Sequence, residues 1–573
     1  MKKGTSASAG IGIGTAVILE ETELVIPDKT VEDVAAETER FCSAVEASIQ
    51  DVSELAADMA QRIGEKEAEI LNGHLMLLQD PMLTDGVKEM IQNSKLCAEA
   101  AVEQIFTMYA DMFASMDDEL MQQRATDMRD IKTRVQKKLL GVASVSVSSL
   151  PAGSILVAKD LTPSITAGIN PENVVGIVTE LGGKTSHTAI LARALEIPAV
   201  VAVTGLLEEV KDKDNLIVDG SEGIVYINPE EKCLEQYQEK REVFLKEKKE
   251  LEKFIGKPTV SKDGVQVELV ANIGKPEDVD KVLQYDGEGI GLFRTEFLFM
   301  DRTAMPTEEE QFEAYRKVAV AMNNKPVIIR TLDIGGDKEI PYMGLMKDEN
   351  PFLGYRAIRF CLDRKDDVYR PQLRALLRAS AYGNIKIMIP LVTCVDEYRQ
   401  AKELIEEIKS ELDQEGIAYN KEIQVGIMVE TAAASLIADL FAKEVDFFSI
   451  GTNDLTQYTM SVDRGNDKVS YLYSTLNPAV LRSIQRIISC GREAGIMVGM
   501  CGEAASDPLM IPLLLAFGLN EFSMSASAML SARKWISEYD TKELQAVANK
   551  AMSFSTEAEV RTYMTEFVAS QNL

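Results

Sequence analysis

Five short stretches in the second half of the chain end an apolar run with residues able to hold an anion or a metal. "GLFRTEF" carries Arg294 and Glu296, "IIRTLD" carries Arg330 and Asp333, and "IMVE" ends in Glu430. "SIGTNDL" carries Asn453 and Asp454, and "VGMCGE" carries Cys501 and Glu503. Guanidinium forks pair bidentately with phosphate or carboxylate, so Arg294 and Arg330 suit an anion with more than one oxygen-bearing group. Glu430 and Asp454 suit Mg²⁺, which takes one or two carboxylates and fills its other positions with water and substrate oxygens. The set describes a site for a small phosphorylated acid plus Mg²⁺. Taken singly, each arginine or acid is more often a salt-bridge partner than a ligand; their recurrence at strand ends is what points to function. Spacing does not choose for Cys501 between a small buried hydrophobe and a catalytic thiol.

The chain contains only two histidines, His74 and His187. His187 lies in "GGKTSHTAILARA", after a glycine pair and at the start of an amphipathic helix. The glycines permit close backbone approach, Thr185 or Ser186 can cap the helix, and its first-turn N–H groups can hold phosphate oxygens. The positive end of the helix disfavours imidazolium and keeps the ring a neutral nucleophile. His187 is thus placed to accept a phosphoryl group, though a core or capping histidine accounts for these features equally. His74, among apolar residues in "LNGHLMLLQDP", reads as a helix-break or partner-contact residue.

These residues need a frame. From 259 to 573, eight apolar runs alternate with helical sequence, which predicts a (β/α)8 barrel. The runs are "VELVANIG", "GIGLFRTEF", "PVIIRTLDIGG", "IKIMIPLV", "IQVGIMVE", "FFSIGTNDL", "IMVGMCGE" and "EFSMSA". They are almost continuously apolar, as parallel strands buried on both faces must be. The polar residues above fall at their C-terminal ends, where barrel enzymes carry their chemistry. Residues 1–25 and 145–228 read as an α/β domain interrupted by an all-helical insert, 26–144. Within 31–140 there are 22 acidic and 11 basic residues, one proline and three glycines. Two helical hairpins are expected there, with "NGH" and "QDPML" as breaks. Residues 229–258, rich in Glu/Lys pairs, predict a solvated linker helix able to act as a hinge.

Bulk composition limits the function. A formal net charge of −30 over 573 residues argues against a nucleic-acid binder or a protein of anionic membrane surfaces. Seven scattered cysteines without a CxxC pair fit a reducing cytoplasm. No signal peptide and no membrane span are expected.

Taken in order, "LTPSITA", "GGKTSHTAILAR", "GLFRTEFLFMDR", "PTEEEQFEAY", "RTLDIGGDK", "NPFLGYRAIR", "SIGTNDLTQYTMSVDRGND" and "MCGEAASDP" resemble the motifs of one family. It is the enzyme I family of the bacterial phosphoenolpyruvate (PEP)–sugar phosphotransferase system, the PEP–protein phosphotransferases. The resemblance covers nearly the whole chain. It implies an α/β multidomain protein: a swivelling phosphohistidine domain with its helical insert, a linker helix, and a PEP-binding barrel that also dimerises. It implies that His187 takes phosphate from PEP and passes it to a histidine of the carrier protein HPr, with Thr166 as a hydroxyl partner of the ring. Arg294, Arg330 and Arg464 match PEP-binding arginines, with Asn453, Asp454 and Arg356 lining or bordering that site. Glu430 and Asp454 match Mg²⁺ ligands, and Cys501 matches the proton donor that turns enolpyruvate into pyruvate. The acidic insert matches the HPr-docking region, and a homodimer through the barrel is implied. Lys184 stands where arginine is common, which alters how phosphate is held without changing any role.

Two rival readings stand against this one. Pyruvate phosphate dikinase and PEP synthase share the histidine and the barrel but place a nucleotide-binding domain before the histidine, where this chain has about 186 residues. A regulatory scaffold would bind a partner through the acidic helices without turnover; the intact His187, Cys501 and metal ligands speak against it.

Overall fold

The computed structural model describes residues 1–571 except 20–23, 28, 63–64, 116–118, 143–146, 148–149, 163–164, 167, 184–185, 301, 303, 336–339, 345–347 and 467. Two compact units are formed, Met1–Lys248 and Lys249–Leu573.

The first unit is built on one eight-stranded sheet. Its strands are β1 (Lys2–Lys3), β2 (Thr5–Ser8), β3 (Ile11–Leu19), β4 (Ser154–Ala158), β5 (Val174–Thr179), β6 (Ala199–Val201), β7 (Asn215–Asp219) and β8 (Ile224–Ile227). They are ordered β1-β8-β7-β3-β4-β5-β6-β2. The β3–β4, β4–β5 and β5–β6 pairs are parallel, and the other pairs are antiparallel. The glycines of "GIGIG" have a steric cause. A Cβ on Gly12 would lie 2.2 Å from the Val175 carbonyl oxygen, and one on Gly14 would lie 2.1 Å from that of Gly153.

Between β3 and β4 run five helices: α1 (Val34–Arg62), α2 (Glu65–Leu78), α3 (Pro81–Ser94), α4 (Ala98–Ala114) and α5 (Glu119–Leu140). Their apolar faces meet in a core that includes Phe41, Val52, Leu71, Val87, Ile91, Phe106, Ile131 and Val135. The "QDPML" break occurs as expected. Asp80 caps α3 by accepting from the Met82 N–H at 2.8 Å, and Pro81 begins the helix where its missing N–H costs nothing. "NGH" does not break the chain; it lies inside α2. The reason is tertiary, since Leu71 and Leu78 on the same helix are buried in the core shared with the other insert helices. Close packing there outweighs the helix cost of glycine, about 1 kcal/mol.

The second unit contains a closed, all-parallel barrel. Its strands are β9 (Glu268–Ile273), β10 (Ile290–Arg294), β11 (Val327–Arg330), β12 (Ile385–Ile389), β13 (Val425–Val429), β14 (Phe447–Ile450), β15 (Met497–Met500) and β16 (Glu521–Met524). Each of the eight apolar runs contains one strand, so the expected (β/α)8 barrel is present. Outward side chains pack on the helices in one large core, whereas Leu292, Ile328, Met388, Met428, Phe447 and Cys501 fill the lumen. A helix follows β8, Glu231–Glu252, in the segment read as a linker. No helix among the described residues is long and apolar enough to cross a membrane.

One carboxyl works against the barrel's stability. Glu521, at the start of β16, is 1% exposed, and neither carboxyl oxygen has a hydrogen-bond partner among the described residues. Burial, reinforced by neighbouring Glu268, pushes its carboxyl up to about 8 from an ordinary value of 4.5. Between those values the unfolded chain ionises while the folded chain keeps its proton, so stability falls as pH rises through this window. Glu521→Gln therefore raises the melting temperature of the barrel, by more at pH 8 than at pH 5. The window is worth about 1.4 kcal/mol per pH unit as an upper bound. Thermal melts at the two pH values check this; an equal gain at both would contradict it.

Candidate active site

The barrel residues meet at the C-terminal ends of the strands in a cavity of about 180 Å³. Arg294 closes β10 and Arg330 closes β11, while Glu430 directly follows β13. Asn453 and Asp454 open the helix Thr452–Met460 after β14, and Cys501 directly follows β15. Arg356 and Arg464 come from longer loops, yet both line the same cavity. Thus Arg294, Arg330, Arg356, Arg464, Glu430, Asn453, Asp454 and Cys501 are brought together. Glu503 is not: it is exposed at the head of a 3-10 turn, Glu503–Ser506, and does not line the cavity. The strand ends aim Cys501 inward, and the chain turns away two residues later.

Electrostatics organise the cavity. Arg330 Nη2 is ion-paired with Glu296 Oε1, and its Nη1 lies 3.0 Å from Asp333 Oδ2. Arg356 Nη2 pairs with the other Asp333 oxygen at 2.9 Å, and its Nη1 lies 3.7 Å from Asp454 Oδ1. Burial works against the charge on Arg330, but Glu296 and Asp333 more than offset it and hold its guanidinium firmly protonated. The Thr295 hydroxyl donates to the Arg330 carbonyl at 2.8 Å, and Gln372 Nε2 donates to Thr295 Oγ1 at 3.2 Å. Gln372 and Thr295 belong to the supporting shell that pattern reading missed, because their partners lie far away in sequence.

Glu430 is 1% exposed and accepts the Leu391 N–H at 2.7 Å. A Cβ on Gly451 would come within 2.7 Å of its other oxygen, which explains glycine at that position. Burial, followed by repulsion from Asp454, pushes the Glu430 carboxyl up to about 8. The buried Asp454 Oδ1 has no hydrogen-bond partner among the described residues. A buried carboxyl whose ionisation a neighbouring carboxylate opposes, with a second carboxylate oxygen left without a hydrogen bond beside it, suits a divalent cation. Cys501 is 4% exposed, with Sγ 3.8 Å from the Ile450 carbonyl oxygen. Burial pushes its thiol up to about 11, although Ser449, Arg330 and Arg294 act the other way. A thiol that keeps its proton at neutral pH is a proton donor in waiting, not a nucleophile.

In the first unit, His187 is the first residue of the helix α6 (His187–Ala194). Ser186 caps α6: its hydroxyl accepts from the Ala189 N–H at 3.3 Å and donates to the Gly183 carbonyl at 2.9 Å. Gly182 has φ +101°, a backbone state that favours glycine. Thr185 and Lys184 lie outside the described residues. Thr166 is fully buried, and its hydroxyl donates to the Thr162 carbonyl at 3.1 Å. Helix α6 is wedged between two cores, with Ala189 and Ala192 on the sheet side and Leu191 among the insert helices. His74 is fully buried inside α2, its Nε2 3.3 Å from Asp127 Oδ1, so it marks neither a helix break nor a docking surface.

Three family models match the chain. They are the PEP-binding domain of PEP-utilising enzymes over residues 248–541, their N-terminal domain over 3–124 and their mobile domain over 150–223. The phosphoenolpyruvate-protein phosphotransferase of Bacillus subtilis (strain 168) is 49% identical over 564 residues, 98% of this chain and 99% of its own. That of Priestia megaterium is 48% identical over 568 residues, 99% of this chain and 98% of its own. A solution structure of an Enzyme I protein is 41% identical, covering 43% of this chain and 99% of its own, at a TM-score of 0.39.

The protonated state of Cys501 can be read by alkylation. At pH 8, iodoacetamide labels the exposed Cys394 and spares Cys501, whose labelling rises only as pH approaches 11. Peptide mass spectrometry follows both sites; equal labelling of the two at pH 8 would rule out a thiol held protonated by burial.

Proposed function

This chain belongs to the phosphoenolpyruvate-protein phosphotransferases, a family of PEP-utilising enzymes, and from that premise we propose a phosphoryl shuttle. His187 takes the phosphoryl group of PEP and delivers it to a histidine of HPr, releasing pyruvate, as the general first step of sugar uptake. The observation that carries this reading is one cavity lined by four guanidiniums, four carboxyl groups of which Glu430 is the one outside the arginine pairs, and a buried thiol.

The chemistry divides among the residues as follows. Arg294, Arg330, Arg356 and Arg464, with Asn453, receive the phosphate and carboxylate oxygens of PEP. Glu430 and Asp454 would hold Mg²⁺, and the chemistry it would supply there is compensation of negative charge. A ring nitrogen of His187 attacks phosphorus in line; the N–P bond forms as the bond from phosphorus to the enol oxygen breaks. Such transfers pass through a loose transition state, so positioning and charge compensation carry the rate. The Cys501 thiol gives its proton to the methylene carbon of the enolate, which yields pyruvate, and the thiolate regains a proton from water. Phosphohistidine then meets HPr, whose histidine displaces it in a second in-line step. Ping-pong kinetics follow from the covalent intermediate.

One histidine serves two partners in turn, so the unit that carries it has to move. The boundary between the two compact units falls within the helix Glu231–Glu252, a segment suited to be the hinge. The acidic helices α1–α4 suit a basic face on HPr. The reading is completed by Thr166 as a partner of the histidine ring, dimerisation through the barrel and a cytoplasmic site of action.

Incubation with labelled PEP, Mg²⁺ and HPr, with mass spectrometry of both proteins, tests the proposal. Wild type gains one phosphoryl group at His187 and passes it on; His187→Ala gains none yet still binds PEP. Phosphate at His74, or none on wild type, would sink the assignment. Cys501→Ala slows pyruvate formation by about 10²-fold or more while PEP affinity changes little, as expected on losing a general acid. An unchanged rate of pyruvate release would take Cys501 out of the mechanism.

A further inference from the structure

Arg356 is held by more than its carboxylate partners, and the extra contacts come from residues with no part in the proposed chemistry. The Tyr458 hydroxyl accepts a hydrogen bond from Arg356 Nη1 at 3.1 Å. The same hydroxyl donates to the carbonyl of Phe352, four residues before Arg356. The Phe352 ring lies beside both guanidiniums: its centroid is 5.7 Å from the Arg356 guanidinium carbon and 6.0 Å from that of Arg464. These contacts close a circuit from the Phe352 backbone through Tyr458 and Arg356 to the Phe352 ring. A second arginine is attached at the ring.

The backbone around this circuit is constrained as well. Ala357, fully buried and next to Arg356, has φ 50° and ψ −125°, a state that costs any residue with a Cβ. Such a conformation persists only where its surroundings over-determine it. The Ile334 carbonyl supplies one such constraint by accepting the Ala357 N–H at 3.1 Å, and Gly335 beside it leaves the room this approach needs, since a Cβ there would lie 2.6 Å from Arg356 Cβ. Asp333 supplies another, by pairing the far edge of the guanidinium at 2.9 Å. Tyr458 sits one turn after Asp454 on the same helix, so one short element presents both a cavity carboxylate and the hydroxyl that aims Arg356.

We propose that Tyr458 and Phe352 form a positioning latch that fixes Arg356 and Arg464 as a pair pointed into the cavity before substrate arrives. The hydroxyl sets the direction of Arg356 and ties the loop of residues 350–356 to the rim helix. The ring spaces two like charges, offering both the negative potential of an aromatic system, which an aliphatic side chain of similar size lacks. The inference rests on the barrel cavity being the PEP site. Neither residue touches the reacting atoms; both act through the arginines.

The test uses the full-length protein, with PEP affinity by calorimetry and with KM and kcat for PEP-dependent phosphorylation of HPr. The variants are Tyr458→Phe, Phe352→Leu and Phe352→Tyr. The latch predicts that Tyr458→Phe raises the Kd and KM for PEP about tenfold, the scale of one lost hydrogen bond to a charged group, and that Phe352→Leu raises them about threefold to fivefold, the scale of a lost cation–ring contact. In both, kcat falls much less and the melting temperature is nearly unchanged, while Phe352→Tyr, which keeps the ring, stays close to wild type. Unchanged PEP affinity in Tyr458→Phe, or equal behaviour of Phe352→Leu and Phe352→Tyr, overturns the latch alone. Wild type that fails to bind PEP overturns the reading of the cavity and the latch with it.

Discussion

Burial of charge at the barrel mouth is the constraint that shapes the second unit. Arg330 is 6% exposed, and an isolated guanidinium at that depth would be prohibitively costly. Glu296 and Asp333 compensate it, Asp333 is shared with Arg356, and Arg356 approaches Asp454. The chain of pairs leaves each member few other orientations, so the cavity is organised before any ligand enters. Breaking one link would strand a neighbouring charge in a place water does not reach. Catalysis by charge compensation benefits from this rigidity, because preformed dipoles and charges need no reorganisation during reaction.

The same burial sorts the protons. Among the groups lining the cavity, four are arginines and four are carboxylic acids, so the formal charges cancel when all are ionised. Glu430 departs from that balance, pushed up by burial and by Asp454, and Cys501 keeps its proton for the same reason. Beneath them Leu292, Ile328, Met388, Met428 and Phe447 form a dry floor that keeps the dielectric low. An apolar floor under a ring of paired charges therefore favours the uncharged forms of both the Cys501 thiol and the Glu430 carboxyl.

The first unit solves a different problem. Its helix α6 is eight residues long and gains its place from packing rather than length, with apolar side chains in two cores. Ser186 closes the end of that helix, so His187 begins it at a fixed backbone position. The helices inserted between β3 and β4 thus do more than add surface; Leu191 joins the functional helix to their core.

Local pattern alone decided the eight barrel strands, the helical character of residues 34–140 and the polar residue types at the strand ends. Continuous apolar runs and helical periodicity are written in consecutive residues, so they can be read without knowing what lies opposite. A hydroxyl cap before His187, at Thr185 or Ser186, and a helix break at "QDPML" were legible for the same reason. Only the tertiary structure decided that Gly73 stays inside a helix, that Glu503 turns to solvent, and that Gln372, Tyr458 and Phe352 stand behind the arginines. The hydrogen bonds of Gln372 to Thr295 and of Tyr458 to Arg356 and Phe352 join partners 77 to 106 positions apart in this sequence, brought close by barrel closure. Sequence period reports which face a residue takes; it carries no record of which distant loop will come to rest against it.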